Sequence, residues 1–108
     1  MFVAMNRFRI VKGREAEFET VWRNRESRLA EVPGFRGFHL LRGPEREDHR
    51  LYASHTLWES EEHFLAWTRS EQFRAAHAQA GAVRGLYLGH PEFEGFTAVL
   101  EEKAPAAA

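Results

Sequence analysis

Three residues of this chain have the types and surroundings that chemistry could use. Asn6 stands in the apolar run Met1–Val11, where Phe2, Ala4, Phe8 and Ile10 share its face by the two-residue period of a strand. An amide buried there without a partner costs about 1–3 kcal/mol. A neighbouring backbone group or a ligand must therefore satisfy it. Trp67 follows Phe64 by three residues, which is core spacing and equally the spacing of a wall for a flat apolar ligand. His77 follows Phe73 by four residues and is surrounded by Ala75, Ala76, Ala78 and Ala80. Small side chains let a planar group approach a helix closely, and a neutral imidazole can bind iron through one nitrogen while donating a hydrogen bond from the other. Taken singly, each has a plainer reading: an Asn bonded to backbone, a core Trp, a surface His. The chemistry needs all three at one pocket.

Other candidates are weaker. His39 and His55 face each other if the hairpin between them pairs in antiparallel register, but no carboxylate or thiolate at useful spacing completes a metal site. A structural place on the sheet is the simpler reading. His63 at a helix start reads as solvated, His49 lies in a charged loop, and His90 is a weak candidate for a pocket edge. The sequence has no glycine-rich phosphate loop, no nucleophile elbow, no HExxH and no cysteine. Conventional hydrolase chemistry has no anchor.

The elements that must position these residues follow from periodicity. Phe2–Val11 reads as a strand apolar on both faces. Glu15–Leu29 reads as a helix with Phe18, Val21, Trp22, Arg25 and Leu29 on one stripe. Phe35–Arg42 and Arg50–Trp58 read as a hairpin across the polar loop 43–49. Ser60 caps the next helix, and Ser70 marks a break near Thr68–Ser70. Residues 81–95 read as a loop, and Phe96–Glu101 as a last strand. The order β-α-β-β-α-β is the split βαβ arrangement, an α+β ferredoxin-like fold with an antiparallel sheet. Helices cover one sheet face; a second copy is the simplest cover for the other, which predicts a homodimer.

The 108 residues suit one domain over 1–102, with 103–108 as a disordered tail. A formal net charge of -1 gives no electrostatic reason to expect nucleic acid or an anionic membrane surface. The N-terminal run meets Arg7 and Arg9 too soon for a membrane span or signal peptide, and the absence of cysteine suits a reducing cytoplasm.

With these residues in view, the chain resembles the haem-degrading monooxygenases of the IsdG type, in their HmuQ-like branch, within the antibiotic biosynthesis monooxygenase (ABM) superfamily of dimeric α+β barrels. The marks are AMNRF (Ala4–Phe8), VPGF with the following FHLL, GPEREDHRLYASHTLWES, AWTRSEQFRAAH ending at His77, and the late LYLGHPEFEGF. The family's trio is an Asn on the first strand, a Trp on the second helix and a His ten residues later; Asn6, Trp67 and His77 match in type, order and spacing. The resemblance implies that His77 is the axial ligand to the iron of b-type haem, that Asn6 lies on the distal side where oxygen binds, and that Trp67 presses on the haem plane and distorts it. Haem is then both cofactor and substrate: O2 and electrons from a reductase or other external donor open the ring, releasing iron and a biliverdin-like linear tetrapyrrole, for iron acquisition. The 81–95 loop could order over bound haem. Arg23, Arg25 or Arg28 could meet the propionates. Two other readings share the fold: a haem carrier without turnover, and a cofactor-independent oxygenase of aromatic quinols. A purely structural dimerisation module is a further one.

Overall fold

The computed structural model describes residues 1–25, 27–71, 73 and 85–105. Four strands, β1 (Phe2–Ile10), β2 (Phe35–Glu45), β3 (Arg50–Trp58) and β4 (Glu92–Thr97), form one sheet in the order β2-β3-β1-β4. All three pairings are antiparallel. Helices α1 (Glu15–Arg23) and α2 (Glu61–Thr68) supply the β-α-β-β-α-β order of the ferredoxin-like fold, as the sequence predicts.

Both helices pack on the face of β1 that carries Phe2, Ala4, Phe8 and Ile10, all buried. The other face is less apolar in practice than its sequence suggests. Val3, Met5 and Arg7 are half-buried and Arg9 is exposed. Leu41 and Phe96 are left 42% and 44% exposed there.

Three boundaries differ from expectation. Helix α1 stops at Arg23 rather than running to Leu29. The Asn24 and Arg25 amides close back on the Thr20 and Trp22 carbonyls, and Arg28 adopts a left-handed φ of 53°. This turn carries Leu29 into a short 3-10 segment (Leu29–Glu31) and into the cluster of Phe2, Trp58 and Trp67, away from Phe18. The hairpin loop is shorter than read, because β2 continues to Glu45 through an irregular pairing after Arg42. The last strand is Glu92–Thr97, not Phe96–Glu101. Its alternation of Glu and Phe is masked by Gly95, and that glycine has a packing reason. A Cβ at 95 would lie 2.5 Å from the Phe2 ring. Beyond it Val99 and Leu100 are 96% and 79% exposed.

Helix α2 begins as read. The Ser60 hydroxyl accepts from the His63 amide at 3.2 Å. The predicted break also appears: α2 ends at Thr68, and the Ser70 hydroxyl accepts from the Phe73 amide at 3.1 Å. No described helix is long and apolar enough to cross a membrane.

Candidate functional site

The apolar interior under the helices is divided. One cluster gathers Phe2, Ala4, Leu29, Val32, Trp58 and Trp67, with Phe35, Phe38, Phe64 and Phe73 against it. The second gathers Phe8, Ile10, Phe18, Tyr52 and Leu86. Along β1 the division falls at Asn6, between Ala4 and Phe8; along β3 it falls at Ser54 and Thr56, between Tyr52 and Trp58. Asn6 and Ser54 are direct cross-strand partners, and Ser54 is in turn opposite Leu40. Among the described residues neither the Asn6 amide nor the Ser54 hydroxyl makes a side-chain hydrogen bond, whereas Thr56 Oγ1 donates to the Ala4 carbonyl at 3.3 Å. Asn6 is half-buried rather than sealed in the core. A polar seam thus crosses the sheet between two aromatic walls.

The upper wall is carried by α2. Trp67 is 7% exposed. Its ring lies 5.3 Å from Trp58 and 4.8 Å, edge-on, from Phe73. Phe64 stacks on Phe93 of β4 at 5.5 Å, and Phe93, 49% exposed, is the cross-strand partner of Asn6 on its other side. Trp67 therefore has the core packing of its plainer reading and also stands in the wall nearest the seam.

The lower wall is carried by α1 and β2. Trp22, against the second cluster, stacks at 5.9 Å with 9° between planes on Phe38, which also packs against the first, so the two clusters meet there. The Arg25 guanidinium lies 4.2 Å from the Trp22 centroid, a cation–π contact, and burial lowers its pKa. Tyr87 joins Phe8 at 5.7 Å, and burial pushes its phenol up. This residue is brought in by the return of the chain along β1. The Val11 amide donates to the Leu86 carbonyl and the Leu88 amide to the Arg9 carbonyl, so 86–88 is tied to the sheet. The loop expected over 81–95 is thus ordered into a β-bridge and β4 across much of its described part.

Beside the lower wall a groove of about 360 Å³ is lined by Glu19, Trp22, Arg23, Phe38, Leu40, Arg42 and Tyr52. Tyr52 donates to Glu19 Oε2 at 2.5 Å, Arg42 donates to the same oxygen through Nε at 2.9 Å and Nη2 at 2.5 Å, and Arg23 reaches Oε1 at 3.2 Å. The Tyr52 hydrogen bond, then that of Arg42, holds the Glu19 carboxyl below its ordinary range. Burial raises the Tyr52 phenol.

His77 lies outside the described residues, as do 81–84 of the expected loop. The structure places Asn6 and Trp67 on the same covered face of the sheet. Sequence reasoning missed the Trp22–Phe38 stack, Ser54, Phe93 and the Glu19–Arg42–Tyr52 set. Ser54 had a legible signal, a small polar residue alternating with Tyr52, Thr56 and Trp58; Arg42 had none, since its partner is 23 residues away. His39 and His55 are cross-strand partners as read, with rings 5.7 Å apart. Burial, then the His39 charge, lowers the His55 pKa. No cluster of three His, Cys, Asp or Glu side chains able to hold a metal exists among the described residues. His63, read as solvated, is half-buried against Gly34 and bonded through Nδ1 to Ser60 Oγ at 2.7 Å. His90 is exposed.

An antiparallel four-stranded sheet with both helices on one face defines a ferredoxin-like α+β protein. The antibiotic biosynthesis monooxygenase model matches residues 1–79, and the chain belongs to that family. Among its relatives, a heme oxygenase (staphylobilin-producing) of Staphylococcus haemolyticus is 35% identical over 71% of this chain and 73% of its own length. The heme-degrader MhuD of Mycobacterium tuberculosis, solved with two hemes in its active site, superposes with a TM-score of 0.68 at 28% identity, over 95% of this chain and 100% of that one. SnoaB of Streptomyces nogalater, a cofactor-independent oxygenase, superposes with a TM-score of 0.66 at 29% identity, over 93% of this chain and 94% of that one.

Proposed function

We propose that this protein is a haem-degrading monooxygenase, with Asn6, Trp67 and His77 as its site. The observation that carries the reading is the seam. The sheet face under the helices is aromatic on both sides and interrupted by one amide with no hydrogen-bond partner among the described residues. Aromatic surfaces beside a single amide match a flat, largely apolar ligand better than a small polar one. The relatives named for haem degradation support the same ligand.

In this reading haem supplies the redox chemistry, with O2 and an external reductant as co-substrates, and ring opening yields iron and a linear tetrapyrrole. The chain's own residues do the rest. His77 would hold the iron through a ring nitrogen. The Asn6 amide, which makes no side-chain hydrogen bond among the described residues, would offer its N–H to the bound ligand. Trp67, held by Trp58 and Phe73, is a rigid surface against which a macrocycle must bend rather than displace the ring. A single domain over 1–102, working as a cytoplasmic homodimer through the open sheet face, completes the proposal.

Haem titration followed by ascorbate in air tests it, with His77→Ala alongside. The expected result is a Soret band that decays while a bilin band grows and iron becomes chelatable. A Soret band that survives, with peroxide scavenged, marks a carrier. No Soret shift at all overturns the reading and favours cofactor-independent oxidation of a quinol, which the SnoaB likeness keeps as the second candidate.

A further inference from the structure

Resting on the haem reading, we propose that Arg42 and Arg23 anchor the ligand's carboxylates, with Glu19 and Tyr52 as positioning residues that hold Arg42 in place. The groove they line continues the seam. Leu40, in its floor, is the cross-strand partner of Ser54, which is the partner of Asn6. Arg42 is two residues along β2 from Leu40, on the same face. By strand spacing and rise its Cα stands about 12 Å from that of Asn6.

Charge supports the assignment. Two guanidiniums share one carboxylate, so the group has one positive charge in excess. Arg42 uses Nε and Nη2 on Glu19, which leaves Nη1 for another acceptor. Glu19 is bonded to Arg23, Arg42 and Tyr52, and its side chain is 12% exposed, so it fixes the cations rather than opening to solvent. The walls are apolar: Trp22, Phe38 and Leu40. An apolar wall ending in a surplus, pre-positioned guanidinium fits an amphiphilic anion with a flat body and a carboxylate arm.

Of the other two arginines, one is ion-paired and one lies on the ring faces of two walls of the groove rather than at the Glu19 carboxylate. Arg28 is paired with Glu31 at 2.9 Å. Arg25 is spread over Trp22 and Phe38. Arg42 lies on a strand outside the arginine-rich helix and shows only once the hairpin is built.

The experiment compares haem with haem dimethyl ester, which keeps the macrocycle and iron but removes both carboxylate charges. Affinities come from Soret titrations of the full chain. One charge-assisted hydrogen bond predicts that the wild-type protein binds haem roughly ten- to hundredfold tighter than the diester. Arg42→Gln reduces that preference to under about threefold, and Arg23→Gln, at an exposed helix end, reduces it partly. Arg23→Gln keeps the test decisive should Arg42→Gln unfold. Wild-type preference retained in both variants, or no preference in the wild type, overturns the anchor while leaving the haem reading standing. No Soret shift with either porphyrin overturns the haem reading and the anchor with it.

Discussion

Asn6 and Ser54 face each other across β1 and β3, and among the described residues neither side chain makes a hydrogen bond. Two polar groups at the centre of a sheet face are normally each other's partner or a backbone's. Here they separate two aromatic clusters instead of joining them. A side chain with no hydrogen bond to the described residues contributes little to folding through its polar atoms. Asn6→Ala should therefore change stability by under about 1 kcal/mol, in either direction, because no hydrogen bond is lost. On the proposed function, the same change should slow haem turnover by at least about tenfold while the Soret titration stays near wild type. A denaturation curve and a bilin assay on one preparation check both. A large loss of stability with unchanged turnover would return Asn6 to a structural role.

Trp67 predicts the opposite balance. It is buried against Trp58, Phe64 and Phe73, so truncation removes packing as well as a pocket wall. Trp67→Ala should cost about 3–5 kcal/mol in urea unfolding. Trp67→Phe keeps most of the contact, so it should unfold much closer to wild type. If Trp67 also bends the ligand, the Phe variant will degrade haem more slowly while folding nearly normally. Equal turnover in Trp67→Phe and wild type would leave Trp67 as core alone.

How much of this was legible in the sequence depends on whether the cause was local. The β1 alternation, the Ser60 cap and the break at Ser70 come from neighbouring residues, and all are where periodicity and capping place them. The α1 end was not legible, because Leu29 continues the helical stripe by spacing. It leaves that stripe only because a second cluster, built by Phe2, Trp58 and Trp67, is there to receive it. The β4 boundary was hidden by Gly95, which reads as a breaker until the Phe2 ring is seen to need the space. The seam was half legible: Asn6 stood out as the one amide on an apolar face, while Ser54, Phe93 and Arg42 join it only through strand pairing.

Gly95 gives a direct test of that last boundary. Gly95→Ala puts a methyl 2.5 Å from the Phe2 ring, inside β4, so either the ring or the strand must move. The expected cost is about 1–3 kcal/mol of stability. Phe2→Leu should restore part of it in the double variant, since the shorter side chain vacates the space. Simple additivity of the two single changes in a thermodynamic cycle would show that the two residues do not meet.

Glu19 carries a pH dependence whose sign follows from its partners. Hydrogen bonds from Tyr52 and Arg42 lower its folded pKa from the ordinary value of 4.5. The folded state therefore holds fewer protons on this group than the unfolded chain between those two values. Its contribution is fully present above pH 4.5 and disappears as pH falls through the lowered folded pKa. Glu19→Gln should unfold more easily than wild type at pH 7, and the difference should shrink steadily in the acid range below pH 4.5. Tyr52→Phe removes one charge-assisted bond at a side chain that is 1% exposed and should cost about 1.5–3 kcal/mol at pH 7, with the same acid convergence. Urea midpoints for the three proteins from pH 7 to pH 3 check it. Parallel curves that never converge would mean that the Glu19 carboxyl is not the titrating group.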